Sequence, residues 1–172
     1  MNAILTVIPI VLIRYGLLVV INKEALKRAG FFAPLIGREK LAFWVYQITT
    51  AFILLYLLLF EIKSDSEWFY IGLIIYSLGL ILYAVSIVNY ANPKKNGINL
   101  NGLYRISRNP MYVAYFTCFL GCVLLTHSWG LLLLLICFQI SVHWIILSEE
   151  RWCIREFGDE YKKYMNNVRR YI

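Results

Sequence analysis

Apolar residues in this chain come in long runs, not in strand-like alternation. Five stretches, roughly 1–21, 41–60, 68–88, 111–125 and 129–147, are almost wholly apolar, and Arg14 is their only formal charge. About 20 such residues in a helix cross ~30 Å of hydrocarbon, and as few as ~17 suffice. Only helices or closed barrels satisfy their backbone in lipid, and the runs lack the two-residue period of a barrel. The pattern therefore predicts an all-α integral membrane protein with about five transmembrane helices. The last two are joined by a very short turn. The first run has no basic leader and no small-residue cleavage site, so a retained span is expected.

The polar segments between the runs set the orientation. Segment 22–40 carries Lys23, Lys27, Arg28, Arg38 and Lys40 against two glutamates, and segment 89–110 carries Lys94, Lys95, Arg105 and Arg108 against none. The intervening 61–67 loop is acidic, with Glu61, Asp65 and Glu67 beside Lys63. Basic loops stay in the cytoplasm. Five spans then put the N-terminus outside and a C-terminal helical tail, 148–172, in the cytoplasm with the 89–110 loop. One membrane domain covering 1–172 is expected.

Composition agrees: 60% of the 172 residues are hydrophobic and 16% charged, against about 25% charged in soluble domains. The net charge of +7 is explained by topology and anionic lipid headgroups, so no nucleic-acid partner is expected. The four cysteines show no CxxC or Cys/His spacing, which predicts free thiols and no metal site.

Two polar stripes run at helical spacing. In the third run Trp68, Gly72, Tyr76, Gly79, Tyr83, Ser86 and Tyr90 share a face. That seam fits close helix packing or a pocket wall. In the fifth, Gln139, His143 and Glu150 align, and ionisable groups at such depth face a bundle interior or a watery cavity. Arg14 reads first as a side chain snorkelling to the headgroups and second as a cavity residue.

The densest polar chemistry is NGLYRISRNPMYVAYF, 101–116, at the start of the fourth run. Asn109 and Pro110 fit the N-cap and first position of a helix. Arg105 and Arg108 beside a helix N-terminus form an anion site. Glu149 and Glu150, at the end of the fifth run, answer them on the same side of the membrane. This complementarity fits a bound zwitterionic ligand or a salt bridge holding the tail to the loop.

GLYRISRNPMY, then EE, then REFGDEYKKYMNNVRRYI resembles the isoprenylcysteine carboxyl methyltransferase family and its phospholipid-methyltransferase relatives over roughly residues 96–172. That family's pattern is G-x-Y-x-x-x-R-H-P-x-Y, an acidic cluster, then F-G-x-E-Y. The resemblance implies S-adenosylmethionine held on the cytoplasmic side and a lipophilic acceptor entering from the bilayer: an isoprenylcysteine-like carboxylate, a lipid amine or another small lipophile. By position it assigns the cofactor to Asn96, Gly97, Ile98, Asn99, Tyr104, Asn109, Pro110, Met111, Tyr112 and Glu149, while the stripe favours Glu150. Two departures stand out. Asn109 replaces the family histidine, and HWIILSEE lacks the arginine that grips the carboxylate in isoprenylcysteine enzymes, for which Arg151 or Arg14 are the substitutes at hand.

Methyl transfer by in-line displacement needs alignment more than a base. His143 is the intramembrane candidate for a general base and Arg108 for a catalytic cation; no metal is required. Two other classes remain open: an NADPH enzyme similar to sterol reductases, and a non-enzymatic scaffold or transporter. A bacterial inner membrane and an endoplasmic reticulum fit equally, and oligomeric state is not legible.

Overall fold

The computed structural model describes residues 1–93 and 97–172. Among them are six helices and no strand. They are α1 (Ala3–Ile21), α2 (Lys23–Ala29), α3 (Glu39–Leu59), α4 (Trp68–Ala91), α5 (Pro110–Thr126) and α6 (Trp129–Asn167), with one 3-10 turn at Gly102–Arg105.

Local chemistry sets most of the boundaries. Asn22 opens α2, its side-chain oxygen accepting from the Glu24 and Ala25 amides at 3.0 and 3.4 Å. Ser128 opens α6 by accepting from Leu131 at 3.3 Å, satisfying an otherwise orphaned N–H. Left-handed His127 closes α5. Gly158, at φ 57°, breaks α6 into an apolar part and a tail segment. Pro110 takes the first position of α5 as expected, but Asn109 makes no side-chain cap. Its amide instead donates to the Arg170 carbonyl at 3.1 Å.

Helices α1, α3, α4 and α6 are long and apolar enough to cross a membrane. The predicted span at 111–125 forms α5, which has 17 residues and a length of about 25 Å, short of the full hydrocarbon thickness. Pro110 and the left-handed His127 set its ends, and Ala114, Cys118, Phe119, Cys122 and Val123 along it are buried against the other helices. Other apolar side chains point outward, among them Val20 at 83% and Trp129 at 79% exposure. That surface suits a bilayer, not water.

Two sets of contacts define the ends of the bundle. At one, the Ala3 amide donates to Phe60, Ile62 to Met1 and Lys63 to Leu125, at 3.0, 2.8 and 2.9 Å. At the other, Asn22 donates to the Ala91 carbonyl at 3.0 Å, and the basic segments gather there with the tail.

The glycine–tyrosine seam of α4 is chiefly a packing surface. A methyl group on Gly79 would lie 2.6 Å from the Cys118 nitrogen, and one on Gly121 would lie 2.6 Å from the backbone of Tyr76. Tyr76 donates to the Thr6 carbonyl, tying α1 to this hairpin. Tyr83 bonds Tyr115, and Tyr90, at the far end of the stripe, reaches the wall of a cavity at the basic end of the bundle. Gly121→Leu is expected to cost about 1–3 kcal/mol through overpacking, read as a lower unfolding temperature in detergent. Gly16→Ala, which meets nothing within 4 Å, is the matched control.

Candidate active site

A cavity of about 600 Å³ opens at the basic end of the bundle, within the ~300–1,000 Å³ range of small-molecule sites. Its walls come from α1, α2, the linker before α3, Tyr46 of α3, Tyr90 of α4, the 97–109 loop, α5 as far as Tyr115, and α6 from Glu149 onward. The loop is shaped by close approach. Gly102, at φ 50°, sits where a methyl would lie 2.1 Å from the Asn89 side-chain oxygen, which accepts from the Leu103 amide at 2.9 Å. Tyr104 is thereby buried in the wall, and its carbonyl accepts from the Tyr164 hydroxyl at 2.6 Å.

The two adjacent glutamates have different tasks. Glu150 is 5% exposed and is gripped by two arginines. Arg108 donates to its Oε1 through Nε and Nη2 at 3.1 and 2.6 Å. Arg170 donates through Nε and Nη2 at 3.0 and 2.7 Å. Burial alone would raise the Glu150 carboxyl, but the hydrogen bonds from Arg170 and Arg108 outweigh it and hold it below the usual range. Arg108 also donates to the Met165 and Val168 carbonyls at 3.0 and 2.5 Å. Glu149, also beyond the apolar part of α6, lines the cavity and, among the described residues, accepts only from the Tyr112 hydroxyl, at 3.0 Å. Burial pushes it up to about 7; the Tyr112 bond opposes this and the charge of Glu150 adds to it.

The cavity brings together Gly97, Ile98, Asn99, Tyr104, Asn109, Met111, Tyr112, Glu149 and Glu150, together with Arg108. Asn99 carries a buried side-chain oxygen with no hydrogen-bond partner among the described residues. Pro110 is buried one residue behind the wall, and Asn96 falls outside the described residues. His143 is not part of the wall: its Nδ1 shares a 2.9 Å hydrogen bond with the Tyr171 hydroxyl. Arg151 also has structural work, holding Glu39 at 2.5 and 2.6 Å and the Pro34 carbonyl at 3.0 Å.

Arg14 corrects the snorkelling expectation. It faces the cavity, donating to Tyr115 and to the Ala29 carbonyl, both at 2.8 Å. Sequence reading gave no role to Arg28, Phe31, Tyr115, Trp152 or Cys153, which also line the site. A cation inside an apolar run was an available signal for Arg14; nothing in the local sequence marked the aromatics.

The apolar bundle thus carries at its basic end a cavity with, among the described residues, a carboxyl lacking a cation and an amide oxygen lacking a hydrogen-bond partner, in a chain whose long helices suit a membrane. The profile of the phospholipid methyltransferase family matches residues 68–160, more than half of the chain, and the chain belongs to that family of membrane methyltransferases. No curated protein and no solved structure gave a match.

The two acids predict opposite responses. Glu150→Gln leaves two arginines underpaired and is expected to destabilise by about 3–5 kcal/mol. Glu149→Gln removes a carboxyl that folding has raised from 4.5 to about 7. The folded chain holds the extra proton between those values, so stability is highest below about 4.5, declines as pH rises, and has lost this contribution above about 7. Unfolding temperatures of the unliganded protein should therefore fall between pH 5 and 8 in a way that Glu149→Gln flattens.

Proposed function

We propose that this chain is an S-adenosylmethionine-dependent methyltransferase acting on a lipophilic acceptor that reaches the site from the bilayer. The observation that carries this reading is Glu149. It is a buried carboxyl facing the cavity, with Tyr112 as its hydrogen-bond donor and no cationic partner among the described residues. A ligand bearing an ammonium or sulfonium supplies the missing charge. The unpartnered oxygen of Asn99 accepts from a ligand N–H or O–H, and Tyr104 and Tyr112 give the pocket aromatic walls. Family membership supports the reaction class, and the cofactor positions implied by the motif fall largely on this wall.

When bound, S-adenosylmethionine supplies an electrophilic methyl group to an in-line displacement. The chain's own residues position and desolvate. Glu149 fixes the cationic end, Tyr112 orients that carboxyl, and the tail carrying Tyr161 and Tyr164 helps exclude water. Arg108 acts as a positioning residue through Glu150. His143 has no step in this scheme. The basic segments clustered at this end support a cytoplasmic site, which a C-terminal reporter fusion active only in the cytoplasm would check.

Calorimetry on the full chain in neutral detergent should show saturable S-adenosylmethionine binding. Glu149→Gln should weaken it at least tenfold, about 1.4 kcal/mol, and Tyr112→Phe less. Because a cation binds the ionised carboxylate, affinity should rise with pH and level off above about 7. Stabilisation by NADPH in place of S-adenosylmethionine would overturn the proposal in favour of a reductase.

A further inference from the structure

The tail of the chain is held differently from the bundle. At Gly158 the backbone turns to φ 57°, which an L side chain rarely adopts, and a methyl group placed there meets nothing within 4 Å. The break is thus a property of the backbone in open space, with no neighbour fixing it. Beyond it, Tyr161 and Tyr164 turn inward while Asp159, Lys162, Lys163, Asn166 and Asn167 are exposed. The inward pair joins Ile98 in a small buried cluster separate from the main core. The cavity lies where the two meet, since Ile98, Tyr161 and Tyr164 line it together with Tyr46, Tyr112 and Tyr115, which pack on the main core.

Most of what ties the tail down is hydrogen bonding. The Tyr164 hydroxyl donates to the Tyr104 carbonyl at 2.6 Å, the Arg108 amide to the Arg169 carbonyl at 2.9 Å, and the Asn109 side chain to the Arg170 carbonyl at 3.1 Å. Such bonds exchange for bonds to water at a small net cost. Glu150 is the exception, because a buried carboxylate stripped of its donors is very costly. Its two arginines answer this. The Arg108 side chain, 7% exposed, comes from the 97–109 loop, and that of Arg170, 30% exposed, comes from the tail. Were the tail to lift, Arg170 would leave into water with it while Arg108 stayed, and the carboxylate would keep a partner.

We infer that residues 159–172 form a lid hinged at Gly158 and that Arg170 is its latch on Glu150, a positioning residue that sets how long the cavity holds its ligand. The lid lifts to admit and release a nucleoside ligand, and its closing returns Tyr161 and Tyr164 to Ile98 over the occupied cavity. That the ligand is a nucleoside rests on the transferase reading above. The tail side, with its polar outer face, is the route open to a charged ligand arriving from water. Arg170 lies beyond the segment that matches the family, residues 68–160, so the latch is a feature of this chain's own end. Exchange of spent for fresh ligand then depends on the opening of one ion pair.

Hydrogen exchange of the full chain in dodecyl maltoside, followed by mass spectrometry, reads the opening. In the unliganded protein the amides of 161–171 should exchange as one unit, at least tenfold faster than those of α4 and α5. S-adenosylhomocysteine at a hundredfold excess over Kd should slow them at least tenfold. Arg170→Gln should quicken tail exchange at least fivefold while leaving α4 and α5 within about twofold of the parent. It should also raise the S-adenosylhomocysteine dissociation rate about tenfold, with association within about threefold; Arg170→Lys should recover part of this. Tail amides as protected as those of α5 in the unliganded protein overturn the inference. So does a parental dissociation rate in Arg170→Gln, or a loss of protection in α4 and α5 in step with the tail, which marks a purely structural role. If Arg170→Gln does not fold, Tyr164→Phe, which loses only the bond to the Tyr104 carbonyl, should raise the dissociation rate about threefold, and no rise overturns the inference. A tail that opens as a unit and is quickened by Arg170→Gln, yet is slowed by neither S-adenosylhomocysteine nor S-adenosylmethionine, upholds the lid and removes the transferase reading alone.

Discussion

The buried carboxylate of Glu150 is the constraint on which the cavity depends. Ionised groups this far from water are tolerated only when their lone pairs are filled, and four N–H donors from two arginines fill them here. One arginine precedes α5 and the other closes the chain, so the same carboxylate joins the 97–109 loop, α6 and the last residues at one point. Remaining Arg108 hydrogens hold the Met165 and Val168 carbonyls, which would otherwise be orphans at the end of α6. The segment after Gly158 is thereby folded back over the pocket. It brings Tyr161 and Tyr164 against Ile98 and forms one wall.

That commitment also separates two neighbours that sequence cannot tell apart. Consecutive helical residues point about 100° from one another, so one acid of the pair meets the arginines while the other faces the hollow. Motif position favoured Glu149 for the ligand and the stripe favoured Glu150; both line the cavity, but among the described residues Glu150 has cationic partners and Glu149 has none. The salt bridge and the proposed ligand site, two explanations of the same charges, fall on adjacent residues.

The apolar runs, the hairpin of α5 and α6, the glycine seam and the loop that lines the cavity were legible because each rests on spacing or on a local motif. The breadth of the exposed apolar surface was implied by composition. Less legible was anything needing partners distant in sequence. His143 sits on the right face of α6 yet is taken by Tyr171, 28 residues on. Asn109 looks like a cap but serves the tail. Arg14 lies within reach of headgroups by count alone, and only the approach of Ala29 and Tyr115 turns it inward. Arg151 shows the same effect: its link to Glu39 ties the N-terminal helices to the part of the chain that carries the family motif.

The shortness of α5 bears on the membrane itself. A helix of about 25 Å is at the short end of what crosses ~30 Å of hydrocarbon, and its first turn forms part of the pocket wall. In a bilayer of that thickness, lipids beside so short a helix meet it by thinning or by tilt of its neighbours at a modest elastic cost, so membrane thickness acts on the same helix that carries Met111 and Tyr112 of the wall.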